Sequence, residues 1–580
     1  MKNENKKYLI TSALPAPNGE LHIGHLIGCY LPSDVYARFC RARGRDVLFI
    51  CGSDEHGTPP LLAAAKEGIS INEYTDRIYK GQKQYAKNFG LSFDYYGRTH
   101  TELHKQLIQD LFTRLDEQGL IEEKTSKQLF SVDDNMFLAD RFIKGTCPKC
   151  GYENADGDQC GKCSALLDPT DLINPYSAIS GSHNIELRET KHLYFRASAM
   201  EGKLREWIDS RQGWPKTAMG IANKWLSEGL RDTPITRDLS WGVPVNKPGY
   251  EGKVFYVWFD APWGYVSISQ AARPNDWKTW WKAGDNCHYA QFMGKDNVAF
   301  HAVFFPEQQL AMNDDWKTVD VLKAVNFLNF EGAKISKSTG NGIFLDDAIV
   351  DAPADAWRYA LMASAPETDD TDFTIQRFAD IVNKDLNGML GNFVSRATKL
   401  CEKNFGNNVP ARLEIRNSRL GEQISSLESR ISNLVTELTT AMEACEFRRA
   451  VAALREIWAA GNEFMTLTEP WTLVKNGDIK TAGTVLNECF QLIDFYARVS
   501  APFIPDAAEK MRGIFSELEI RNSKLGEQTL NLESRVSNFD WPEAYERRIA
   551  DGTVFIVPEN LFERIDADKI AEMSAKYVKK

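Results

Sequence analysis

The sequence predicts an α/β protein with a parallel sheet, an insertion within the sheet domain and a long helical C-terminal region. Strand-like residues 8–14, an amphipathic segment over 20–42 and the apolar run Asp46–Ile50 follow one another at the spacing of a βαβ unit, which gives a parallel sheet. Short runs rich in Gly and Asp between Leu120 and Trp241 indicate the insertion. Nearly everything after Ala348 has helical periodicity.

Each predicted element has a local signal. A turn rich in Pro and Gly at residues 15–19 ends the first strand, and Gly44 is placed to end the first helix. Strand-like sequence returns at Lys253–Trp258. A helix is expected to begin near Asp296, and Val319–Ala324 is a further strand candidate.

The composition excludes several classes of protein. With 43% hydrophobic and 26% charged residues, the 580-residue chain matches a soluble protein of roughly three to five domains. No run of about 18 apolar residues and no signal-peptide pattern occur, so we expect a cytoplasmic protein without a membrane partner. The net charge of −11 offers no general positive field, so we expect no DNA partner, and an RNA ligand would need local basic patches.

Four cysteines of the insertion form two C-x-x-C knuckles, Cys147/Cys150 and Cys160/Cys163. This spacing suits four thiolates around one structural Zn2+ per chain. A pair of disulfides is the alternative, which a reducing compartment disfavours.

Two further motifs contain groups suited to phosphates. His22-Ile23-Gly24-His25 lies at the expected start of the first helix, where two imidazoles share one face near free N–H groups. Lys334-Ile335-Ser336-Lys337-Ser338 combines two lysines and two hydroxyls in a short loop, which suits a clamp on phosphates. Taken singly, the first motif is more often structural and the second a solvated basic loop.

As a pair, these motifs resemble the two signature sequences of class I aminoacyl-tRNA synthetases. The match is complete in the first motif and has Ile335 in place of methionine in the second. The resemblance implies that catalysis rests on stabilising charge at the ATP phosphates, by His22, His25, Lys334 and Lys337. It also implies an ATP site made of His22, His25, Gly294, Asp296 and Lys337, with Mg2+ accompanying ATP.

Within this class the chain is similar to the methionyl-tRNA synthetases over nearly its whole length. The similarity lies in Ala13-Leu14-Pro15, residues 54–58, residues 258–265 and residues 292–301. Aromatic side chains suit a thioether, and a carboxylate suits an ammonium group. The resemblance implies that the methionine site consists of Ala13, Leu14, Asp54, Trp258, Ala261, Pro262, Tyr265, Asn297 and His301.

Two positions depart from that family's pattern. Many bacterial relatives have tyrosine where this chain has Ala16, and tryptophan where it has Phe305. Another side chain must therefore complete the pocket, or its selectivity differs.

In the helical region, Asn392 and Arg396 are spaced i, i+4 and project from one helix face, and Trp471 follows a proline. Asn and Arg can recognise base edges while Trp stacks on an unpaired base. These positions match the anticodon-binding residues of the methionyl family, so the resemblance implies recognition of a CAU anticodon.

The resemblance gives a predicted fold class of a Rossmann-type class I synthetase sheet, a zinc-bearing connective insertion and a C-terminal α-helical anticodon-binding bundle. The predicted domains are the first half of the catalytic domain (1–119), the connective insertion (120–241), the second half (242–330), a linker domain with the lysine loop (331–385), the helical anticodon-binding domain (386–545) and a tail packing back on the body (546–580).

One internal repeat has no assigned role. Leu413–Leu434 recurs nearly unchanged as Leu518–Phe539, and both copies have apolar residues at heptad spacing. The two copies either pair with each other or form independent amphipathic helices.

The expected function is that of a methionine–tRNA ligase, which activates L-methionine with ATP to methionyl-adenylate and transfers it to the 3′ end of tRNA(Met). Three alternatives remain open on the sequence: a synthetase paralogue that activates methionine or a related amino acid outside translation, a non-catalytic RNA-binding protein, and a cysteinyl enzyme. A monomer is weakly preferred.

Overall fold

The computed structural model describes residues 6–578 except 139, 159, 164, 166, 283, 337–339, 414–417 and 516–538. The chain divides into two compact units. The first, called the sheet unit, comprises Met1–Glu20, Leu48–Gln84 and Phe93–Ala324. The second, called the helical unit, comprises Leu21–Val47, Tyr85–Ser92 and Val325–Lys580. The bounds of the six predicted domains stay predictions.

The strands are short except in the central sheet and in one long antiparallel pair, β4 and β9. They are β1 (Lys7–Ser12), β2 (Asp46–Ser53), β3 (Tyr95–Arg98), β4 (Ile121–Ser131), β5 (Met136–Phe137), β6 (Ile143–Thr146), β7 (Ala155–Asp156), β8 (Ile173–Ser177), β9 (Ile185–Phe195), β10 (Thr233–Pro234), β11 (Thr236–Arg237), β12 (Val254–Phe255), β13 (Cys287–Gly294), β14 (Val321–Val325), β15 (Leu328–Phe330), β16 (Ala333–Lys334) and β17 (Thr371–Phe373).

The α-helices dominate the second half of the chain. They are α1 (Ile23–His25), α2 (Leu31–Ala42), α3 (Thr58–Glu67), α4 (Ile71–Asn88), α5 (Glu102–Glu117), α6 (Glu201–Asp209), α7 (Lys216–Glu228), α8 (Val257–Asp260), α9 (Gly264–Ala272), α10 (Lys278–Trp281), α11 (Phe305–Ala311), α12 (Leu345–Asp351), α13 (Ala354–Ala363), α14 (Ile375–Ile381), α15 (Asn392–Phe405), α16 (Arg419–Glu443), α17 (Phe447–Thr468), α18 (Pro470–Lys475), α19 (Ile479–Ser500), α20 (Pro505–Gly513) and α21 (Ala567–Tyr577). Residues 26–30, 300–304 and 382–391 are π-helical.

The central sheet has the strand order β14-β13-β1-β2-β3. β1 runs parallel to β13, and β2 runs parallel to β3. Seven of the eight β2 residues are buried, which is typical of a parallel strand covered on both faces. These elements confirm the predicted α/β class and the strands predicted at 8–14, Asp46–Ile50 and Val319–Ala324.

The strand predicted at Lys253–Trp258 is wrong. Only Val254 and Phe255 pair, with Arg237 and Thr236 respectively, and the chain then turns into α8. The backbone N–H groups of Phe259 and Asp260 both donate to the carbonyl of Tyr256 and begin that helix. A short apolar run fits a buried strand or a buried helical turn equally well, so periodicity alone could not separate them.

The insertion is built on two long antiparallel strands, β4 and β9, whose register runs from Ile121 opposite Phe195 to Ser131 opposite Ile185. The chain between these strands contains the small sheet β7-β6-β8 with the cysteine knuckles. Within the described ranges, no helix is long and apolar enough to cross a lipid bilayer.

In the helical unit, the first copy of the repeat forms much of α16. Its buried residues Ile424, Leu427 and Ile431 lie on the face that packs along α17. Most of the second copy lies outside the described residues, so pairing of the copies stays a hypothesis. The apolar face of the first copy already has a partner in α17.

A buried ionic network stabilises the helical unit. Asp34 on α2 and Arg358 on α13 are both fully buried, and Arg358 donates to the carboxylate at 2.6 Å. Arg38 Nε also donates to Asp34, at 2.9 Å, and Ser92 donates its N–H and hydroxyl to the other carboxylate oxygen. Arg358 also donates to the carbonyls of Phe89, Pro502 and Phe503.

We predict that Asp34→Asn lowers the free energy of unfolding by about 3–5 kcal/mol, because two guanidinium groups lose their buried counter-charge. Urea unfolding at pH 7 measures this change. The matching control is Asp46→Asn at an exposed carboxylate, which should change stability by less than about 0.5 kcal/mol.

The pH dependence of stability should change as well. Burial alone would raise the pKa of Asp34, but the charges of Arg38 and Arg358 and the bonds from Ser92 hold it far below its ordinary value. Its stabilising contribution is therefore present above the unfolded pKa of about 3.9 and is lost as the pH falls below it. The Asp34→Asn variant should lose less stability between pH 5 and pH 3 than the wild type. An equal loss of unfolding free energy in both proteins over this range would contradict the role of Asp34.

Candidate functional site

A pocket of about 120 Å3 opens in the sheet unit where several strands end. Residues 13–14 follow β1, Asp54 follows β2, and Asn297 follows β13, as expected for a ligand site at the carboxyl ends of parallel strands. All the residues predicted to bind methionine line this pocket, together with Val257 and Phe300: Ala13, Leu14, Asp54, Val257, Trp258, Ala261, Pro262, Tyr265, Asn297, Phe300 and His301.

Aromatic rings form one wall of the pocket. Trp258 meets Phe300 edge-on, with 4.6 Å between the ring centroids, and lies 5.5 Å from the ring of Phe304. Such rings bind a polarizable thioether well. Phe305, which departs from the family pattern, is buried behind Tyr265 and packs edge-on against Trp263. Ala16 is half-buried in the turn after β1.

Tyr265 and His301 form a polar wall of the pocket, and hydrogen bonds fix where their protons lie. His301 Nδ1 lies 2.8 Å from the carbonyl of Asn297, and its Nε2 lies 2.8 Å from the Tyr265 hydroxyl. Because a carbonyl only accepts, Nδ1 carries the proton, and Nε2 accepts from Tyr265. Burial lowers the pKa of His301 to about 4, so the ring is neutral at pH 7. The Tyr265 proton is thus directed to His301 and not to the ligand.

Gly264 is a pocket-forming residue that sequence analysis missed. A Cβ at this position would lie 2.9 Å from side-chain atoms of both Leu14 and Thr99. Only glycine therefore lets the start of α9, which carries Tyr265, come this close to the turn after β1. The residue lies within the quoted 258–265 motif, but nothing local in the sequence marks this contact.

Asp54 supplies the carboxyl group of the pocket. Its N–H donates to the carbonyl of Pro15 at 3.0 Å, which fixes the loop after β2. Its Oδ1 is buried and has no hydrogen-bond partner among the described residues. Burial and the charge of Asp260 raise the pKa of Asp54 to about 8. A buried carboxyl with one oxygen left without a partner is suited to an ammonium group of a ligand.

A buried histidine cluster lies next to Asp54. His56 Nδ1 is 2.8 Å from Asp260 Oδ2, and His56 Nε2 is 3.1 Å from His100 Nδ1. His104 Nδ1 meets the Ser267 hydroxyl at 2.9 Å. Sequence analysis assigned no role to these side chains, although His56 and Asp260 lie within the motifs that it quoted.

In the helical unit, the two histidines of the first motif cap the start of α1. The N–H of Gly24 donates to His22 Nδ1, and the N–H of His22 donates to His25 Nδ1, both at 3.1 Å. Since each Nδ1 accepts, each neutral ring carries its proton on Nε2, where it can donate to an anion. A Cβ on Gly24 would lie 2.9 Å from the His22 ring, so glycine preserves this cap.

The chain after the lysine loop returns to the same helix start. Ile23 N–H donates to the carbonyl of Ile343, and Leu345 N–H donates to the carbonyl of Leu21, both at 3.0 Å. Ile335 is buried, which explains why one apolar residue can replace another there. Lys334 is exposed at the end of β16. Lys337 lies outside the described residues, and its role stays a prediction.

Gly294 and Asp296 lie in the sheet unit, at the end of β13. Asp296 belongs to the 3₁₀ turn Lys295–Asn297. A Cβ on Gly294 would lie 2.6 Å from Asp296 Oδ1, so the carboxylate folds over this glycine. Their predicted role at ATP is untested.

The four cysteines of the knuckles converge. Their sulfur atoms all lie within 4.8 Å of one another, with 3.7 Å between Cys150 and Cys160 and 3.9 Å between Cys147 and Cys163. Tetrahedral Zn2+ with Zn–S bonds of about 2.3 Å requires sulfurs about 3.8 Å apart. The residues therefore fit a structural metal, and each of the four is a free thiol.

The three residues predicted at the anticodon lie in the helical unit. Asn392 is exposed at the first residue of α15, and Arg396 follows one turn later. The Arg396 guanidinium lies 4.7 Å from the centre of the Trp471 ring, and Trp471 is 36% exposed. A guanidinium beside a partly open indole can hold an unpaired base.

A His-x-Gly-His motif at a helix start, followed later in the chain by a Lys-x-Ser-Lys-Ser motif, is typical of class I aminoacyl-tRNA synthetases. Residues 8–398 match the family model described as tRNA synthetases class I (M). Residues 416–580 match the model described as the anticodon binding domain of methionyl tRNA ligase. The chain therefore belongs to the methionyl-tRNA ligase family, which confirms the predicted family, fold class, enzyme class and ligase function.

Similar proteins span the whole chain. The methionine–tRNA ligase of Cereibacter sphaeroides (strain KD131 / KCTC 12085) is 45% identical over 590 residues, which cover 98% of this chain and 99% of that protein. Methionine–tRNA ligase 1 of Acaryochloris marina is 43% identical, with 98% and 99% covered. The solved Mycobacterium tuberculosis methionyl-tRNA synthetase in complex with methionyl-adenylate has a TM-score of 0.74 at 24% identity, covering 96% of this chain and all of that one, and shows the shared fold.

We predict that Tyr265→Phe raises the KM for methionine about tenfold, because it leaves the buried His301 Nε2 without its donor, at a cost of about 1–3 kcal/mol. The KM for ATP should stay unchanged. Amino-acid-dependent ATP–pyrophosphate exchange measures both constants. The control Tyr289→Phe removes a buried hydroxyl that bonds Thr11, away from the pocket, and should change neither constant. An equal rise in both constants with Tyr265→Phe would contradict the assignment.

Proposed function

We propose that this chain activates L-methionine with ATP to form methionyl-adenylate and then transfers the methionyl group to the 3′ end of tRNA(Met), in the cytoplasm. The observation that carries this proposal is the pocket of the sheet unit, in which the residues predicted from the sequence supply aromatic rings, a neutral polar wall and a buried carboxyl with one unpartnered oxygen. The relatives named methionine–tRNA ligase support the choice of amino acid.

In the first step, the methionine carboxylate attacks the α-phosphorus of ATP, and pyrophosphate leaves. Mg2+ bound with ATP would offset negative charge on the phosphates. Asp54 holds the ammonium group, and the rings of Trp258 and Phe300 hold the thioether. The Nε2–H groups of His22 and His25, with Lys334 and Lys337, stabilise negative charge on the phosphates. Gly294 and Asp296 hold the nucleotide. No protein side chain forms a covalent bond in this step.

In the second step, a terminal ribose hydroxyl of tRNA attacks the carbonyl of the adenylate, and AMP leaves. Asn392 and Arg396 recognise base edges of the CAU anticodon, and Trp471 stacks on one unpaired base. The exposure of Trp471 and its contact with Arg396 support this role.

Zn2+ is proposed at Cys147, Cys150, Cys160 and Cys163, where it supplies a structural cross-link and no chemistry. The supporting observation is the sulfur–sulfur spacing. All four coordination positions are filled by thiolates, which is typical of structural zinc sites.

The first test is ATP–pyrophosphate exchange with each standard amino acid and homocysteine. We expect strong exchange with methionine alone. Exchange with a different amino acid would show that the pocket with Ala16 and Phe305 has another specificity. An absence of exchange with every amino acid would overturn the proposal.

Lys337→Ala should lower the rate of adenylation by about 10²–10³-fold while leaving methionine affinity nearly unchanged, because the lysine acts on charge in the transition state. Pre-steady-state adenylate formation and equilibrium binding measure the two effects. The exposed Lys66→Ala serves as the control and should change neither. Equal losses in rate and affinity would argue against the proposed role.

Trp471→Ala should reduce kcat/KM for charging tRNA(Met) by about 10–100-fold, since a stacked base contributes about 1–3 kcal/mol. Methionine-dependent exchange without tRNA should not change. Leu467→Ala, which removes another exposed apolar side chain 59% open to solvent, is the matched control. If exchange and charging fell together, the effect would not lie in anticodon binding.

A further inference from the structure

Two buried carboxyl groups, Asp54 and Asp260, interact with His56 next to the pocket of the sheet unit. Asp260 receives a hydrogen bond from His56, and the two side chains are 0% and 2% exposed. Asp54 accepts the backbone N–H of His56 and lies close enough to Asp260 to be affected by its charge. Asp54 lines the pocket, whereas neither His56 nor Asp260 does.

The other titratable groups near this pair do not supply a second cation. Burial and the charge of His56 lower the pKa of His100 to about 4, and burial lowers the pKa of His104 well below its usual value. Within the pocket, His301 is neutral at pH 7. Arg98 is already paired with the carboxylates of Glu55 and Asp76.

Of the three histidines in this cluster, His56 is the one whose pKa is raised. Burial alone would lower the pKa of His56, but Asp260 and Asp54 raise it above its ordinary value. Its Nδ1 donates to Asp260, and its Nε2 donates to the unprotonated Nδ1 of His100. His100 is held in place by stacking on Trp241, with 4.0 Å between ring centroids.

We propose that Asp54 and Asp260 share the imidazolium of His56, so that the ligand-free protein holds one extra proton on this pair of carboxyls and releases it when the ammonium group of the amino acid binds. The proton leaves the Asp54 carboxyl for solvent, and the ammonium takes its place as the second positive charge. His56 and Asp260 are positioning residues, because they act through Asp54. This inference rests on the proposed role of Asp54 in binding methionine.

A metal ion could in principle balance the same charges, because side chains of His56, His104 and Asp260 lie within 4.8 Å of one another. Both ring nitrogens of His56 are engaged in hydrogen bonds, however, and this leaves it no lone pair for a metal. The cluster is therefore a hydrogen-bonded proton site.

The test is calorimetric titration of the full-length protein with methionine between pH 6 and pH 10, in buffers that differ in ionisation enthalpy. With a pKa of Asp54 of about 8, we expect about 0.9 proton released per chain at pH 7 and about 0.5 at pH 8, and above pH 8 the proton that the amino group of free methionine takes up on binding is subtracted. Heat that does not depend on the buffer at pH 7 would overturn the inference, and this measurement needs no variant.

Two variants should move the midpoint of proton release in opposite directions. Asp260→Asn removes a like charge and should lower the midpoint by about one pH unit or more, whereas His56→Gln removes the cation and should raise it. Glu307→Gln, the control, removes another fully buried carboxyl of the sheet unit and should leave the midpoint unchanged. A shift of both variants in the same direction, or no shift, would contradict the shared charge.

The outcomes separate this inference from the proposed function. If methionine supports exchange but binds without releasing a proton, the inference is wrong and the function stands. If methionine neither binds nor supports exchange, both are wrong. Metal analysis that found a second metal equivalent beyond the cysteine site, lost in Asp260→Asn, would also overturn the inference.

Discussion

The buried carboxylate of Asp34 is the constraint on which the helical unit depends. A fully buried charge is tolerated only when its partners satisfy it, and here two arginines and both donors of Ser92 do so. Arg358 extends the network to the carbonyls that precede α20. The network therefore ties α2, which continues from the His22–His25 motif, to α13 and the bundle, and any shift of α2 would break charged bonds.

The functional groups differ between the two units in a way that follows from their chemistry. The sheet unit holds a partly apolar pocket with one carboxyl and one neutral histidine, which suits an ammonium group and a thioether. The helical unit supplies the imidazole N–H donors of His22 and His25 at a helix start, which suits phosphates. In both places backbone groups fix the tautomers of the histidines, through the carbonyl of Asn297 and the N–H groups of His22 and Gly24.

The sequence was sufficient wherever a local motif carries the chemistry. Periodicity over a few residues was enough to predict the strands β1, β2 and β14. The pocket residues came from the resemblance of short motifs to a family; the structure brings them to one pocket, and their roles stay predictions. The prediction of a strand over Lys253–Trp258 was wrong beyond Val254 and Phe255, because a short buried run has the same composition in a strand and in a helical turn. The His56–Asp260 contact joins residues 204 positions apart, and the need for glycine at position 264 comes from Leu14 and Thr99, so neither could be seen without the fold.

The position of each proton then explains how the pocket can select its amino acid. His301 uses both ring nitrogens within the protein, and the Tyr265 proton is directed to it, so this wall offers no donor to a ligand. A thioether needs none. A side-chain carbonyl or carboxylate of similar length would lose its bonds to water without replacement, at a cost of about 1–3 kcal/mol or more. Apolar amino acids can be rejected only by shape, and one methylene more or less changes the binding free energy by about 1–3 kcal/mol. The close packing of Trp258 on Phe300 and the close approach at Gly264 must supply this part of the selectivity.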